Sequence, residues 1–185
     1  QLASLSSTNQ RSKPAVELMN DGVRLFIAGG KSCQSGSCTN SLNSAFTYNT
    51  STNSITTLAN MTYARGEGAS ANLLSDGTIL VCGGGPVQCE RYDPVANSWS
   101  SAGSLSSNIT APLSARIYLS VYENNGGYDP QWDILFCGGG ASLCSRYNLG
   151  TNTISSLNLG SAFSGKLMAN YGFYLDQGGG GGGGF

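Results

Sequence analysis

One segment is written three times along this chain, and it narrows the possible folds more than any other feature. The copies are VRLFIAGG ending at Gly29-Gly30, TILVCGG ending at Gly83-Gly84 and DILFCGG ending at Gly138-Gly139, spaced 54 and 55 residues apart. Each is a hydrophobic strand closing on paired glycines, then a short loop, an aromatic residue beside Asn or Asp, and a second strand. Self-similarity at a fixed period of this size marks a repeat architecture, in which each copy is one supersecondary unit that buries its apolar faces against its neighbours.

The second copy shows the unit most clearly: RGEGASANLL, SDG, TILVCGGG, PVQ, CERYD, PVANS, WSSAGSL. Period-two alternation between turn residues predicts four strands, Ala69–Leu74, Thr78–Cys82, Cys89–Tyr92 and Ser98–Ala102. Asp76-Gly77 predicts a type I′ turn, which needs positive φ at both central positions, and Asp93-Pro94 followed by Asn97 predicts the next turn. The first copy adds an insertion, KSCQSGSCTNSLNS, read as a long loop with its own cysteine pair; the third lengthens a different turn, ENNGGYDPQW. The expected blades are 11-62, 63-114, 115-163 and a partial fourth at 164-179, within a repeat region 1-177 followed by a glycine-rich tail at 178-185.

Paired glycines at a strand end allow a bend and a close backbone approach that a Cβ would block. They do not read as a phosphate cradle, because a strand, not a helix N-terminus, follows each GGG. Tyr48, Tyr92 and Tyr147, with Trp99 where the other copies have Ile55 and Ile154, are expected to fill the space between blades.

Charged residues make up 10% of the chain, well below the usual quarter, and Ser, Thr, Asn and Gly take their place. A net charge of −1 with no run of Lys or Arg excludes a footprint for nucleic acid or anionic lipid. No apolar stretch approaches the roughly 20 residues of a membrane-spanning helix, so no membrane span is expected. The start, Gln1-Leu2-Ala3, has no Met and no signal-peptide pattern, and the chain reads as a mature or excised polypeptide.

Six cysteines fall into three close pairs, Cys33/Cys38, Cys82/Cys89 and Cys137/Cys144, the last two sharing the spacing C-G-G-G-x-x-x-C. Locally paired cysteines in even number point to disulfides and an oxidising compartment. A metal site is disfavoured, since the chain has no His and no C-x-x-C pair. Sequons at Asn49, Asn60 and Asn108 agree with a secretory route and N-linked glycans.

With its DG turn, GG pair, YD and W, the second copy resembles the kelch repeat, over roughly residues 11–179. It is similar in particular to the blades of the secreted copper radical oxidases, galactose oxidase and glyoxal oxidase. The resemblance implies an all-β fold, a β-propeller with kelch-like blades of four antiparallel strands around a channel. It does not carry the copper site. Where those oxidases place the radical-forming tyrosine after Ala-Arg-Gly, this chain has Glu67; the upstream strand RSKPAVEL has no cysteine, and two ligating histidines have no counterpart. No cofactor is expected.

Glu17, Glu67, Glu90, Asp93 and Asp133 are the carboxylates from which a catalytic pair could be drawn, but turn and strand positions explain them equally well. Arg65, Arg91, Arg116 and Arg146 recur at similar places and are expected to hydrogen-bond between blades. Closing a propeller takes about four to eight blades, and the chain holds three complete copies plus the start of another. The expected function is therefore a non-catalytic, secreted or cell-surface glycoprotein with a structural or adhesive role, working through self-association or other chains to complete a ring or a filament. One alternative is a carbohydrate- or ligand-binding propeller using Tyr118, Tyr122, Tyr128 and Trp132. The other is a fragment of an oxidase-like protein whose catalytic residues lie elsewhere.

Overall fold

The computed structural model describes residues 10–34, 37–106, 113–119, 131–138 and 143–158. Among them there is no helix. The first repeat forms β1 (Arg11–Ser12), β2 (Ala15–Leu18), β3 (Arg24–Ala28), β4 (Lys31–Gln34), β5 (Ser37–Ser41), β6 (Ala45–Asn49) and β7 (Ser54–Thr57). The second forms β8 (Ser70–Leu73), β9 (Ile79–Cys82), β10 (Gln88–Asp93) and β11 (Ser98–Ser104). The third forms β12 (Leu113–Leu119), β13 (Gln131–Cys137), β14 (Leu143–Asn148) and β15 (Thr153–Asn158). Three antiparallel four-stranded sheets result, ordered β2-β3-β6-β7, β8-β9-β10-β11 and β12-β13-β14-β15; we call them blades 1, 2 and 3. The expected partial fourth copy and the glycine-rich tail lie outside the described residues.

Three details differ from the sequence expectation. The insertion of the first repeat is a hairpin: β4 and β5 pair with each other and with β1 as a separate three-stranded sheet. Pro14 has no N–H to give and Lys13 takes φ 44°, so the chain leaves β1 before β2 begins, splitting what reads as one strand. The Asp-Gly turns are not type I′. Only Gly22 (φ 67°) and Gly77 (φ 83°) are left-handed, because Asp21 and Asp76 turn their carboxylates onto the backbone N–H groups of Val23 and Thr78. Finally, β12 opens at Leu113, so the third blade starts before the expected 114/115 division.

Register assigns two faces to each blade. In blade 1, Ala15, Ala28 and Ala45 lie across one another, as do Glu17, Phe26 and Thr47; this is the forward face. On the opposite, rear face, Val16 is across from Ile27, Leu18 from Leu25, Leu25 from Tyr48, and Tyr48 from Ile55. The rear-face positions of blade 2 are Ala71, Leu73, Ile79, Val81, Tyr92 and Trp99, and those of blade 3 include Ile134, Phe136, Tyr147 and Ile154.

The core consists of two junctions in which rear packs on forward. At the first, Ile79, Val81, Tyr92 and Ala71 of blade 2 bury against Ala15, Phe26, Ala28 and Ala45 of blade 1, with Met19 and Met61 at the ends. The Phe26 ring lies 5.4 Å from Tyr92 and 6.1 Å from Trp99, tilted rather than stacked. At the second, Ile134, Phe136 and Tyr147 of blade 3 bury against Leu80, Cys82, Cys89 and Ala102 of blade 2. Fully burying one such aliphatic or aromatic side chain is worth about 1.5–3 kcal/mol, so these two layers hold the array together.

The paired glycines sit at close approaches, Gly29 against the second repeat and Gly84 within its own. A Cβ on Gly29 would come 2.9 Å from the Arg65 carbonyl, and one on Gly84 2.9 Å from the Ala69 Cβ. Both residues have positive φ, so close approach and backbone shape each demand glycine.

Candidate functional site

The rear face of blade 1 is the one interblade surface that stands uncovered among the described residues. Val16 and Leu18 are 48% and 47% exposed, whereas the equivalent Ala71 of blade 2 is 9% exposed. Leu25, Ile27, Tyr48 and Ile55 are half-buried, although their counterparts Ile79, Val81 and Tyr92 are closed off entirely or nearly so. Tyr92, Trp99, Tyr147 and Ile154 thus fill the space between blades as expected, and Tyr48 and Ile55 point instead to the open side. The strands of blade 1 contribute no charged side chain to this face, and the cation against it is Arg11 of β1. Phe46, also on it, is already covered: the Arg11 guanidinium lies 4.7 Å over its ring.

The tyrosine hydroxyls repeat one contact. Tyr48 donates to Asn53 Oδ1 at 2.6 Å, Tyr92 to Asn97 Oδ1 at 2.9 Å and Tyr147 to Asn152 Oδ1 at 2.8 Å. All three Asn residues have positive φ, and Asn49, Asp93 and Asn148 close the same turns by accepting backbone N–H groups.

A second repeated device lies where the glycine pairs meet. Arg11 Nη1 donates to the carbonyls of Gly29 and Ser44, both at 3.0 Å; Arg65 donates to the carbonyls of Gly83 at 3.0 Å and Gln88 at 2.7 Å. Arg11 then ends on Phe46, while Arg65 Nη2 pairs with Glu90 at 2.9 Å, both groups fully buried. Glu90 also accepts the backbone N–H of Thr62 at 2.7 Å. In blade 3 the same position is Ser145, bonded to the N–H and hydroxyl of Ser106.

The other candidate carboxylates have partners too, although Asp133 Oδ1 is buried with no hydrogen bond among the described residues. Asp133 is buried with Arg146, Asp93 accepts the N–H groups of Val95 and Ala96, and Glu67 accepts from Ser12 Oγ and Lys13 Nζ, both at 2.9 Å. Glu17 of blade 1 faces Arg116 of blade 3 at 3.8 Å, and burial pushes its carboxyl above the ordinary 4.5. Among the arginines, Arg116 joins different blades, and Arg91 lies beside the Tyr147 hydroxyl of blade 3 while pairing with Asp76 in blade 2; the Arg65 side chain bonds only within its own repeat, its backbone N–H alone reaching the Leu42 carbonyl of the first. Arg146 departs from the interblade expectation, because its partner Asp133 is in its own blade.

A 450 Å³ groove runs between the turns of blades 1 and 2, lined by Asp21, Arg24, Asp76, Asp93 and Val95 among others. Its acids are already tied down; the N–H and guanidinium of Arg24 hold the Asp21 carboxyl down at about 2. No group of three or more His, Cys, Asp or Glu among the described residues could hold a metal ion.

The three cysteine pairs are disulfides, Cys33–Cys38, Cys82–Cys89 and Cys137–Cys144, each cross-strand, with Cα atoms 4.1, 4.5 and 4.4 Å apart. Asn60 is exposed on the connection to blade 2, and Asn49 is half-buried with Oδ1 accepting from Ser51 and Thr52. Asn108, Tyr122 and Tyr128 lie outside the described residues; Tyr118 and Trp132 are backbone partners in the register of β12 and β13. The exposed pair Val16 and Leu18 is absent from the sequence expectation. The signal was the repeat itself, since the face that the second and third copies bury recurs in the first.

No protein-family profile matches the chain, and no curated protein sequence matches it. In fold it is similar to the solved structure of YjhT, with a TM-score of 0.61 and 17% identity over 86% of this chain and 55% of that one. The chain therefore spans about half the length of the structure it matches.

Proposed function

We propose that this chain is a non-catalytic extracellular module that works by assembly, a structural or adhesive unit made of kelch-like blades. The observation that carries this reading is the rear face of blade 1, whose residue pattern is buried twice inside the molecule and left open once. An apolar face of this kind marks a place of association. The engaged carboxylates support a non-catalytic role, because a general acid or base needs a proton-transfer path to substrate. Three disulfides and the exposed sequon Asn60 support passage through an oxidising, glycosylating compartment. Electron microscopy of the secreted protein tests the reading: particles larger than one chain are expected, and a discrete monomer with enzymatic turnover would contradict it.

A further inference from the structure

We infer that the Cys33–Cys38 bridge is a reversible redox site, opened by a dithiol in the folded chain while the Cys82–Cys89 bridge stays closed. This goes beyond the assembly reading and does not depend on it.

Both bridges cross an antiparallel strand pair, and they differ in what covers them. Cys82 and Cys89 are 0% and 1% exposed, shut in with Leu80, Ala102, Ile134 and Phe136 where blade 3 packs on blade 2. Attack on their sulfurs requires that junction to part, and a closed core opens only at a large fraction of the global unfolding free energy. Cys33 and Cys38 are half-buried, are partners in register on β4 and β5, and belong to neither apolar cluster. Apart from the cysteines, both strands are polar throughout, KSCQ and SCTNS, so the hairpin itself brings no apolar side chain over the sulfurs.

Blade 1 does not need this bridge. Where blade 2 is stapled, blade 1 sets Ala28 across from Ala45, and its four strands pair without any cysteine. The foot of the hairpin is held separately: the Leu42 N–H donates to the Gly30 carbonyl and the Arg65 N–H to the Leu42 carbonyl, both at 2.9 Å. Arg11 keeps its own bonds to Gly29 and Ser44. Opening the bridge therefore frees a polar hairpin flanked only by the two residues of β1, an element that is marginal in water without a cross-link, and leaves the blade standing.

The exchange balances as two displacements. A thiolate of the dithiol attacks one sulfur to form a mixed disulfide, and the other cysteine leaves as a thiolate; the second thiolate of the dithiol then displaces the first cysteine. Two electrons pass to the bridge, the cysteine thiolates take up the two protons that the dithiol gave up, and the dithiol becomes a disulfide.

Dithiothreitol at low concentration on the native 185-residue chain, quenched at intervals and alkylated before peptide mass spectrometry, tests the inference. Cys33 and Cys38 should label at least about a hundredfold faster than Cys82 and Cys89, and exchange into oxidised glutathione should restore the bridge. Comparable rates at the two bridges, or no labelling of Cys33 and Cys38 until the chain unfolds, would overturn it. The double variant Cys33→Ser with Cys38→Ser separates a redox site from a structural staple. It should lower the thermal midpoint less than removal of the Cys82–Cys89 bridge, because the freed hairpin gains freedom in the folded state as well as in the unfolded. An equal or larger loss would overturn the local opening.

Discussion

Blades 1 and 2 share a register and differ in what occupies it. Where blade 2 has the Cys82–Cys89 disulfide, blade 1 has Ala28 across from Ala45; where blade 2 sets Glu90 under Arg65, blade 1 sets Phe46 under Arg11. Blade 1 keeps its disulfide outside the blade, in the β4–β5 hairpin. The scaffold thus needs an arginine on the glycine carbonyls and small side chains at the strand ends, and it tolerates several chemistries beneath them. Blade 2, covered on both faces, can hold a buried ion pair; blade 1, open on one side, carries a cation–π contact.

The comparison predicts its largest difference at the arginines. Arg65→Ala leaves Glu90 buried without its cation and should cost about 3–5 kcal/mol in urea unfolding. Arg11→Ala loses hydrogen bonds and a ring contact but orphans no charge, and should cost about 1–2 kcal/mol. Equal costs would break the distinction.

Disulfide transfer comes next. Ala28 and Ala45 lie directly opposite and are almost fully buried, so Ala28→Cys with Ala45→Cys should oxidise to a bridge inside blade 1 and stabilise it by up to about 3 kcal/mol. Removing the Cys82–Cys89 bridge by alanine substitution should cost about 2 kcal/mol, read as the shift in thermal midpoint.

A smaller effect separates the tyrosines. Tyr92→Phe removes one of two donors to Asn97 Oδ1, which keeps the Ala59 N–H, and should cost about 1 kcal/mol at this part-buried bond, while Tyr48→Phe, at an exposed hydrogen bond, should cost less than half of that.

The smallest concerns Glu17. Its carboxyl titrates above 4.5 in the folded chain because burial penalises the charge, so the folded state holds the proton more tightly than the unfolded. Stability relative to Glu17→Gln should therefore fall as pH rises from about 4.5 through the raised pKa, and the two proteins should run parallel at lower pH. A wild-type chain that gains on Glu17→Gln over the same rise would show that Arg116 outweighs desolvation.

Much of this was legible in the sequence, for physical reasons. The strands of blade 2 follow from strict alternation, and the close approach at Gly29 and Gly84 from glycines that recur at one period. The local disulfides follow from cysteines seven residues apart across a hairpin. The hairpin of the insertion did not, because SCQSGSCTNS is polar on both faces and lacks the alternation that betrays a strand. The Asp-Gly turns misled because Asp can satisfy the turn through its side chain without a left-handed backbone. The open face was hidden for another reason: Leu25 and Ile79 look alike in sequence, and only the presence of a neighbour distinguishes them.

Hydroxyl-radical footprinting of the full chain over a concentration series tests the central claim most directly, because it reads side-chain exposure at both faces at once. The account predicts that Val16, Leu18 and Tyr48 are oxidised in dilute solution and become protected as concentration rises, while Ile79, Val81 and Tyr92 stay protected throughout. Val16 and Leu18 oxidised to the same extent at every concentration would contradict it.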